Sequence, residues 1–245
     1  MDSTTPILIE VVASTVQSCI AAERGGADRI ELCTALATAG LTPGTALLRA
    51  VKKAVSIPVV VMIRPREGDF YYTPAEMDLM KAEMDELGAA GADGFVFGLL
   101  NENLEIDVAK TSELVRHGGP ISSIFHRAID CTPDLMESVA KVKQTGCIRI
   151  LTSGGKSSGI DGIDKILEMQ AVAGNELTLM PGGGLRSESF ERVLRKEIKQ
   201  YHLSGRRPWV PAHEGSLFDF HRQETDTNQI IEVRRKCDIF FRDHR

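Results

Sequence analysis

Eight short, β-branched runs recur along the chain, at residues 7–13, 29–34, 59–64, 94–100, 122–128, 148–153, 176–180 and 199–203. Their starts are separated by 22, 30, 35, 28, 26, 28 and 23 residues, room each time for one strand, one helix and two loops. Strands joined by such long crossovers pair in parallel, because an antiparallel hairpin needs only a short turn. An open doubly wound sheet uses about six strands, whereas eight units close a barrel. The spacing therefore predicts an α/β chain folded as a (β/α)8 TIM barrel, one domain over all 245 residues.

Local signals agree with that period. Thr73-Pro74-Ala75-Glu76 reads as a capping box with proline at the first helical position, and Thr132-Pro133 is expected to open another helix in the same way. Gly25-Gly26, Gly91 and Gly146 are placed to stop helices. Gly-Ala-Asp precedes a strand twice, at Gly26-Ala27-Asp28 and Gly91-Ala92-Asp93, as equivalent helix-to-strand turns would. The one irregular stretch, 205–223, contains Arg206-Arg207-Pro208-Trp209 and His213; it is expected to be a long loop after strand eight, before a final helix within 224–245.

A net charge of −5 gives the chain no global attraction to nucleic acid or to an acidic membrane. Arg206-Arg207 beside Trp209 is the one place where a nucleic-acid contact would be sought, and the overall acidity speaks against it. Met1 to Pro6 carries no basic region, and no stretch approaches the roughly 18 apolar residues of a membrane span, so neither a signal peptide nor a spanning helix is expected. Five scattered cysteines without a C-x-x-C spacing predict free thiols in a reducing compartment, the cytoplasm.

Parallel barrel strands are buried on both faces and normally read as unbroken Val, Ile and Leu. Here polar residues interrupt them toward their carboxyl ends, where barrel active sites lie. Strand one carries Glu10 and strand two Glu31 and Cys33; strand three ends in Arg64-Pro65-Arg66. Strand five contains His126-Arg127 with Asp130 beyond it, strand six ends in Thr152-Ser153-Gly154-Gly155, strand seven runs into Gly182-Gly183-Gly184, and strand eight offers His202 and Ser204. Because side chains alternate, Glu31 and Cys33 share one face, as do Glu10 and Val12. Plainer readings stand beside the functional ones. Arg64 suits an internal salt bridge to Glu31, His126 a satisfied core histidine, Cys33 a small buried apolar residue, and the three glycines a tight turn.

Five segments carry a resemblance: Gly25-Gly26-Ala27-Asp28-Arg29-Ile30-Glu31-Leu32-Cys33, Met62-Ile63-Arg64-Pro65-Arg66-Glu67-Gly68-Asp69-Phe70, Phe125-His126-Arg127-Ala128-Ile129-Asp130, Arg149-Ile150-Leu151-Thr152-Ser153-Gly154, and Met180-Pro181-Gly182-Gly183-Gly184. In this order they closely resemble the CutC family of copper homeostasis proteins, from about residue 7 to about residue 204. The resemblance implies a TIM barrel, a cytoplasmic location (nuclear too in some eukaryotic members), self-association into homodimers or homotetramers, and a role in copper tolerance with Cu(I) binding. It also implies two cysteine ligands, on strands one and two. The second falls on Cys33; the first falls on Val12, where this chain has no thiol.

Two functional expectations follow. In the first, the chain is a copper homeostasis protein that binds Cu(I) at the barrel mouth with Cys33 as ligand, joined by a second subunit's thiolate, by His126 or by a methionine such as Met62. In the alternative, it is an enzyme acting on a small anionic, phosphorylated metabolite. Glu10 or Glu31 would then serve as base, His126 would transfer a proton near neutral pH, and Arg64 and Arg127 would complete the catalytic group. Arg66, Thr152, Ser153, Gly182, Gly183 and Gly184 would cradle the anion.

Overall fold

The computed structural model describes residues 7–208 and 223–243. Eight strands alternate with helices: β1 (Leu8–Ala13), β2 (Arg29–Leu32), β3 (Val59–Met62), β4 (Gly94–Phe97), β5 (Ser122–Phe125), β6 (Arg149–Thr152), β7 (Thr178–Pro181) and β8 (Gln200–Leu203). All seven ladders between them are parallel, in the order β7-β6-β5-β4-β3-β2-β1-β8. The two ends, β7 and β8, lie side by side, so the sheet is a nearly closed barrel. The helices α1 (Val16–Arg24), α2 (Thr45–Ala54), α3 (Pro74–Ala89), α4 (Val108–His117), α5 (Leu135–Lys143) and α6 (Ile163–Ala173) follow the first six strands. Only a 3-10 segment, Ser187–Arg192, follows β7. A last helix, α7 (Thr227–Asp243), completes the ring. No helix among the described residues is long and apolar enough to cross a membrane.

The core has two parts because each strand buries both faces. Outward-facing residues such as Ile9, Val11, Ile30, Val61, Phe97 and Leu179 pack under the helices in one large cluster. Inside the barrel, Val12, Cys33, Val60, Met62, Val96 and Ile124 form a separate apolar cluster. Thr73 caps α3 as its sequence signature predicts: its Oγ1 accepts from the Glu76 amide at 3.3 Å, and Glu76 Oε2 accepts from the Thr73 amide at 2.7 Å.

Three expectations are corrected. Most strands end one to three residues before their apolar runs do, so Cys33, Arg64, His126 and Ser153 stand just past the strand ends, in the loops of the mouth. Thr132-Pro133 does not open α5. Asp134 caps it instead, its Oδ1 accepting from Met136 and Glu137 amides at 2.8 and 3.0 Å, while the Thr132 hydroxyl donates back to Ile129 O at 2.8 Å. A carboxylate two residues nearer the helix is the better acceptor for its first free amides. Finally, both ends of the expected 205–223 loop are strands: β9 (Arg206–Pro208) and β10 (Gln223–Thr225) pair antiparallel as a small ribbon. Trp209 and His213, singled out within that stretch, lie outside the described residues.

Candidate functional site

Register sets the centre of the site. Glu10 on β1 pairs with Arg29 of β2 on one side and with His202 of β8 on the other. Arg29 Nε donates to Glu10 Oε2 at 2.5 Å, and His202 Nδ1 lies 2.8 Å from Glu10 Oε1. The far nitrogen of the same ring, Nε2, lies 3.8 Å from Glu31 Oε2. All four side chains are buried. Below them Arg29 and Arg149 share Gln200 Oε1, at 2.9 and 3.3 Å. The lumen is thus polar along β8-β1-β2 and apolar along β3-β4-β5, where the inner cluster sits.

Those contacts pull the two glutamates apart electrostatically. Burial raises the Glu10 pKa, but the Arg29 charge and the His202 hydrogen bond outweigh it and hold the carboxyl down at about 2. Glu31 lacks such partners, and one of its oxygens, Oε1, has no hydrogen bond among the described residues. Burial therefore pushes it up to about 7, against the pull of His202 and with the Glu10 charge adding to the rise. Burial disfavours the His202 imidazolium, yet Glu31 and Glu10 together raise its pKa. Ligand atoms of Glu10, Glu31 and His202 all fall within 4.8 Å of one another, a set that could accept a cation. Two oxygens and one nitrogen suit a hard or borderline divalent ion better than Cu(I).

Above this group opens a pocket of about 630 Å³. Its walls include Glu31 and His202, the inner-cluster residues Val12, Cys33 and Met62, and Arg64 and His126. Gly40 packs against both sulfur-bearing residues of the pocket wall. It has φ +90°, and a Cβ there would stand 3.2 Å from Cys33 Sγ and 3.7 Å from Met62 Cε. Burial, with the Glu31 charge adding to it, pushes the Cys33 thiol pKa well above the ordinary range.

Arg64 is not the salt-bridge partner of Glu31. It lies past the end of β3, and its guanidinium turns to backbone carbonyls: Nη1 to Thr38 O at 2.8 Å and Gly40 O at 3.2 Å, Nη2 to Gly68 O at 2.8 Å. It also stands over the Phe70 ring, 5.0 Å from its centre. His126 Nδ1 accepts from the Ala128 amide at 3.2 Å, which places the ring proton on Nε2. Burial, with Arg64 adding to it, lowers the His126 pKa to about 3. The expected proton transfer by His126 near neutral pH is therefore corrected: the ring stays neutral there.

The anion cradle expected at Thr152 and Ser153 is already filled by the chain itself. Asp130 Oδ1 accepts from Thr152 Oγ1 at 2.5 Å and from the Gly155 amide at 3.1 Å. Asp130 Oδ2 accepts from the Ser153 amide and hydroxyl, both at 2.9 Å, and from Arg127 Nε at 2.8 Å. Arg127 also donates to Ser153 Oγ at 2.7 Å, at the edge of the pocket. Arg66 stands apart from the mouth, held by Glu76 at 2.5 Å and Asp69 at 3.0 Å, so it is not available to the pocket. Gly182 gives its amide to Thr152 O at 2.9 Å. Gly183 and Gly184, at φ +82° and +70°, border the pocket, and their amides donate to no acceptor among the described residues.

Sequence reasoning noted His202 only as a polar strand end, considered Arg206 only for a nucleic-acid contact, and gave no role to Arg29, Arg149 or Arg186. Arg29 and Arg149 open otherwise apolar strands, the signal that would have found them. Arg186, past β7, and Arg206, on the short strand β9, line the mouth from positions that the barrel's periodicity does not mark.

A model described as the CutC family matches residues 7–207. A human "Copper homeostasis protein cutC homolog" is 42% identical over 200 residues, covering 81% of this chain and 73% of that protein. The crystal structure of a CutC protein from Streptococcus agalactiae superposes with a TM-score of 0.76 at 29% identity, over 81% of this chain and 98% of the other. Thiamine phosphate pyrophosphorylase from Pyrococcus furiosus shares the barrel alone, with a TM-score of 0.61 at 12% identity, over 96% of each chain.

Proposed function

The chain belongs to the CutC family, and on that footing we propose that it is a copper homeostasis protein that takes up Cu(I) in the barrel mouth through Cys33. The observation that supports this reading is that Cys33 and Met62, the two sulfur-bearing residues of the inner apolar cluster, both line the mouth pocket. Cu(I) is a soft ion and selects thiolate and thioether donors. Val12, at the position of the family's other cysteine, offers no donor, so Met62 supplies the second. His126 is the weaker candidate, because its lone-pair nitrogen already accepts from the Ala128 amide. The five cysteines are free thiols, four of them buried, in keeping with a reducing compartment such as the cytoplasm. Self-association into a homodimer or homotetramer belongs to the same reading; light scattering on the purified protein measures it directly.

Anaerobic titration with Cu(I) against a colorimetric chelator tests the proposal. The expected result is one equivalent bound, lost in Cys33→Ser and weakened roughly tenfold in Met62→Leu, about 1.4 kcal/mol. Unchanged affinity in Cys33→Ser overturns it.

A further inference from the structure

Three arginines lining the mouth pocket have no carboxylate partner among the described residues. Arg64 spends its hydrogen bonds on neutral carbonyls, and its buried Nε–H has no acceptor among the described residues. Arg206, on β9, likewise has a buried Nε–H without an acceptor among the described residues, and it is close enough to Arg186 for the two charges to oppose each other. His126 adds a fourth donor: its Nε2–H, fixed by the Nδ1 contact to Ala128, is buried and has no partner among the described residues. Among the described residues the pocket wall holds one carboxylate, Glu31, which already faces His202. Like charges gathered without a counter-charge, and donors buried without acceptors, are costly unless the acceptor arrives from outside.

We propose that the barrel mouth binds a small ligand bearing an oxyanion group, a phosphate or a carboxylate, held by Arg64, Arg186, Arg206 and His126 Nε2–H. The free amides of Gly183 and Gly184 add backbone donors at the same rim. Guanidinium groups match the paired oxygens of both headgroups, which is why arginine and not lysine collects at such sites. Leu36, Phe70 and Leu151 give the pocket apolar wall for the remainder of an organic ligand, and about 630 Å³ suits a molecule of metabolite size. These donors are not those expected from the sequence: Thr152 and Ser153 are occupied by Asp130, and Arg66 lies elsewhere. The site stands beside the sulfur pair and does not depend on copper.

Calorimetry at low ionic strength tests it, with inorganic phosphate, glucose 6-phosphate and malonate as probes and glucose as the neutral control. One-site binding of at least one anion and none of glucose is expected. The relative affinities of the three anions tell free phosphate, phosphate ester and carboxylate apart. Affinity should fall at least tenfold in the double variant Arg186→Ala/Arg206→Ala, whose fold is checked by circular dichroism, and stay unchanged when the titration is repeated with a Cu(I) chelator present. That last comparison separates this site from the copper reading, which fails or holds on Cys33 alone. Absence of saturable binding by all three anions, or equal binding by the double variant, overturns the proposal.

Discussion

His202 presents Nδ1 to Glu10 at 2.8 Å and so turns its other ring nitrogen, Nε2, toward Glu31, 3.8 Å away. One imidazole thus stands between two carboxylates that it treats differently. Glu10, hydrogen-bonded and also paired with Arg29, stays ionised; Glu31, short of partners, resists ionisation. The two glutamates noticed in the sequence are for that reason not interchangeable.

Glu10 is a strut. Its folded pKa of about 2 lies below the ordinary 4.5, so the stability it contributes is present above pH 4.5 and is lost as the pH falls toward 2. Glu10→Gln, which leaves Arg29 and His202 buried without their counter-charge, should cost roughly 3 kcal/mol at pH 7. Urea unfolding of both proteins at pH 7 and near pH 2.5 checks this: the gap in midpoint should narrow at the lower pH.

Glu31 behaves in the opposite sense. Its folded pKa, about 7, is above the ordinary 4.5, so the protein loses stability to this group as the pH rises from 4.5 through 7. Glu31→Gln should therefore leave thermal stability unchanged at pH 4 and raise the melting temperature by about 4–8 °C at pH 8, for a gain of roughly 2 kcal/mol. A melting temperature at pH 8 equal to or below that of the unsubstituted protein would count against the assignment.

Asp130 acts as a built-in anion for the loop after β6. Removing it in Asp130→Ala strips acceptors from the Ser153 and Gly155 amides, the Thr152 and Ser153 hydroxyls and Arg127 together. Arg127 is 42% exposed and stays solvated, so the loss comes from the donors left without an acceptor, about 1–3 kcal/mol in chemical denaturation. Added phosphate should recover part of that loss, since the vacated donors form an oxyanion nest.

Val12 faces the same pocket as Cys33 and packs with it in the inner cluster. Val12→Cys places a second thiol there at little cost in volume. Cu(I) affinity should rise by at least 100-fold over the unsubstituted protein, measured by chelator competition, because a thiolate is the stronger donor for this ion.

The barrel was legible because it repeats: eight apolar runs at regular spacing leave few alternatives, and the capping box at Thr73 is a purely local signal. The site was legible only in part. Strand alternation, a strict rule, puts Glu31 and Cys33 on one face and Glu10 and Val12 on one face, and the structure turns Glu31, Cys33 and Val12 toward the same pocket. Arg66 and the Thr152–Ser153 donors fail for a different reason: a charged residue near a strand end is spent internally whenever a partner such as Glu76 or Asp130 is within reach, and pairing of that kind depends on loop paths that no period encodes. Arg206 enters the pocket because β9 and β10 form a ribbon, a pairing across a 14-residue separation that the intervening sequence does not announce.

Anomalous diffraction at the copper edge, from crystals loaded with Cu(I) under anaerobic conditions, tests the central claim most directly. The principal peak should lie at bonding distance from Cys33 Sγ, on the side facing Met62. A principal peak among Glu10, Glu31 and His202 with none at Cys33, or no ordered copper in the mouth at all, would contradict it.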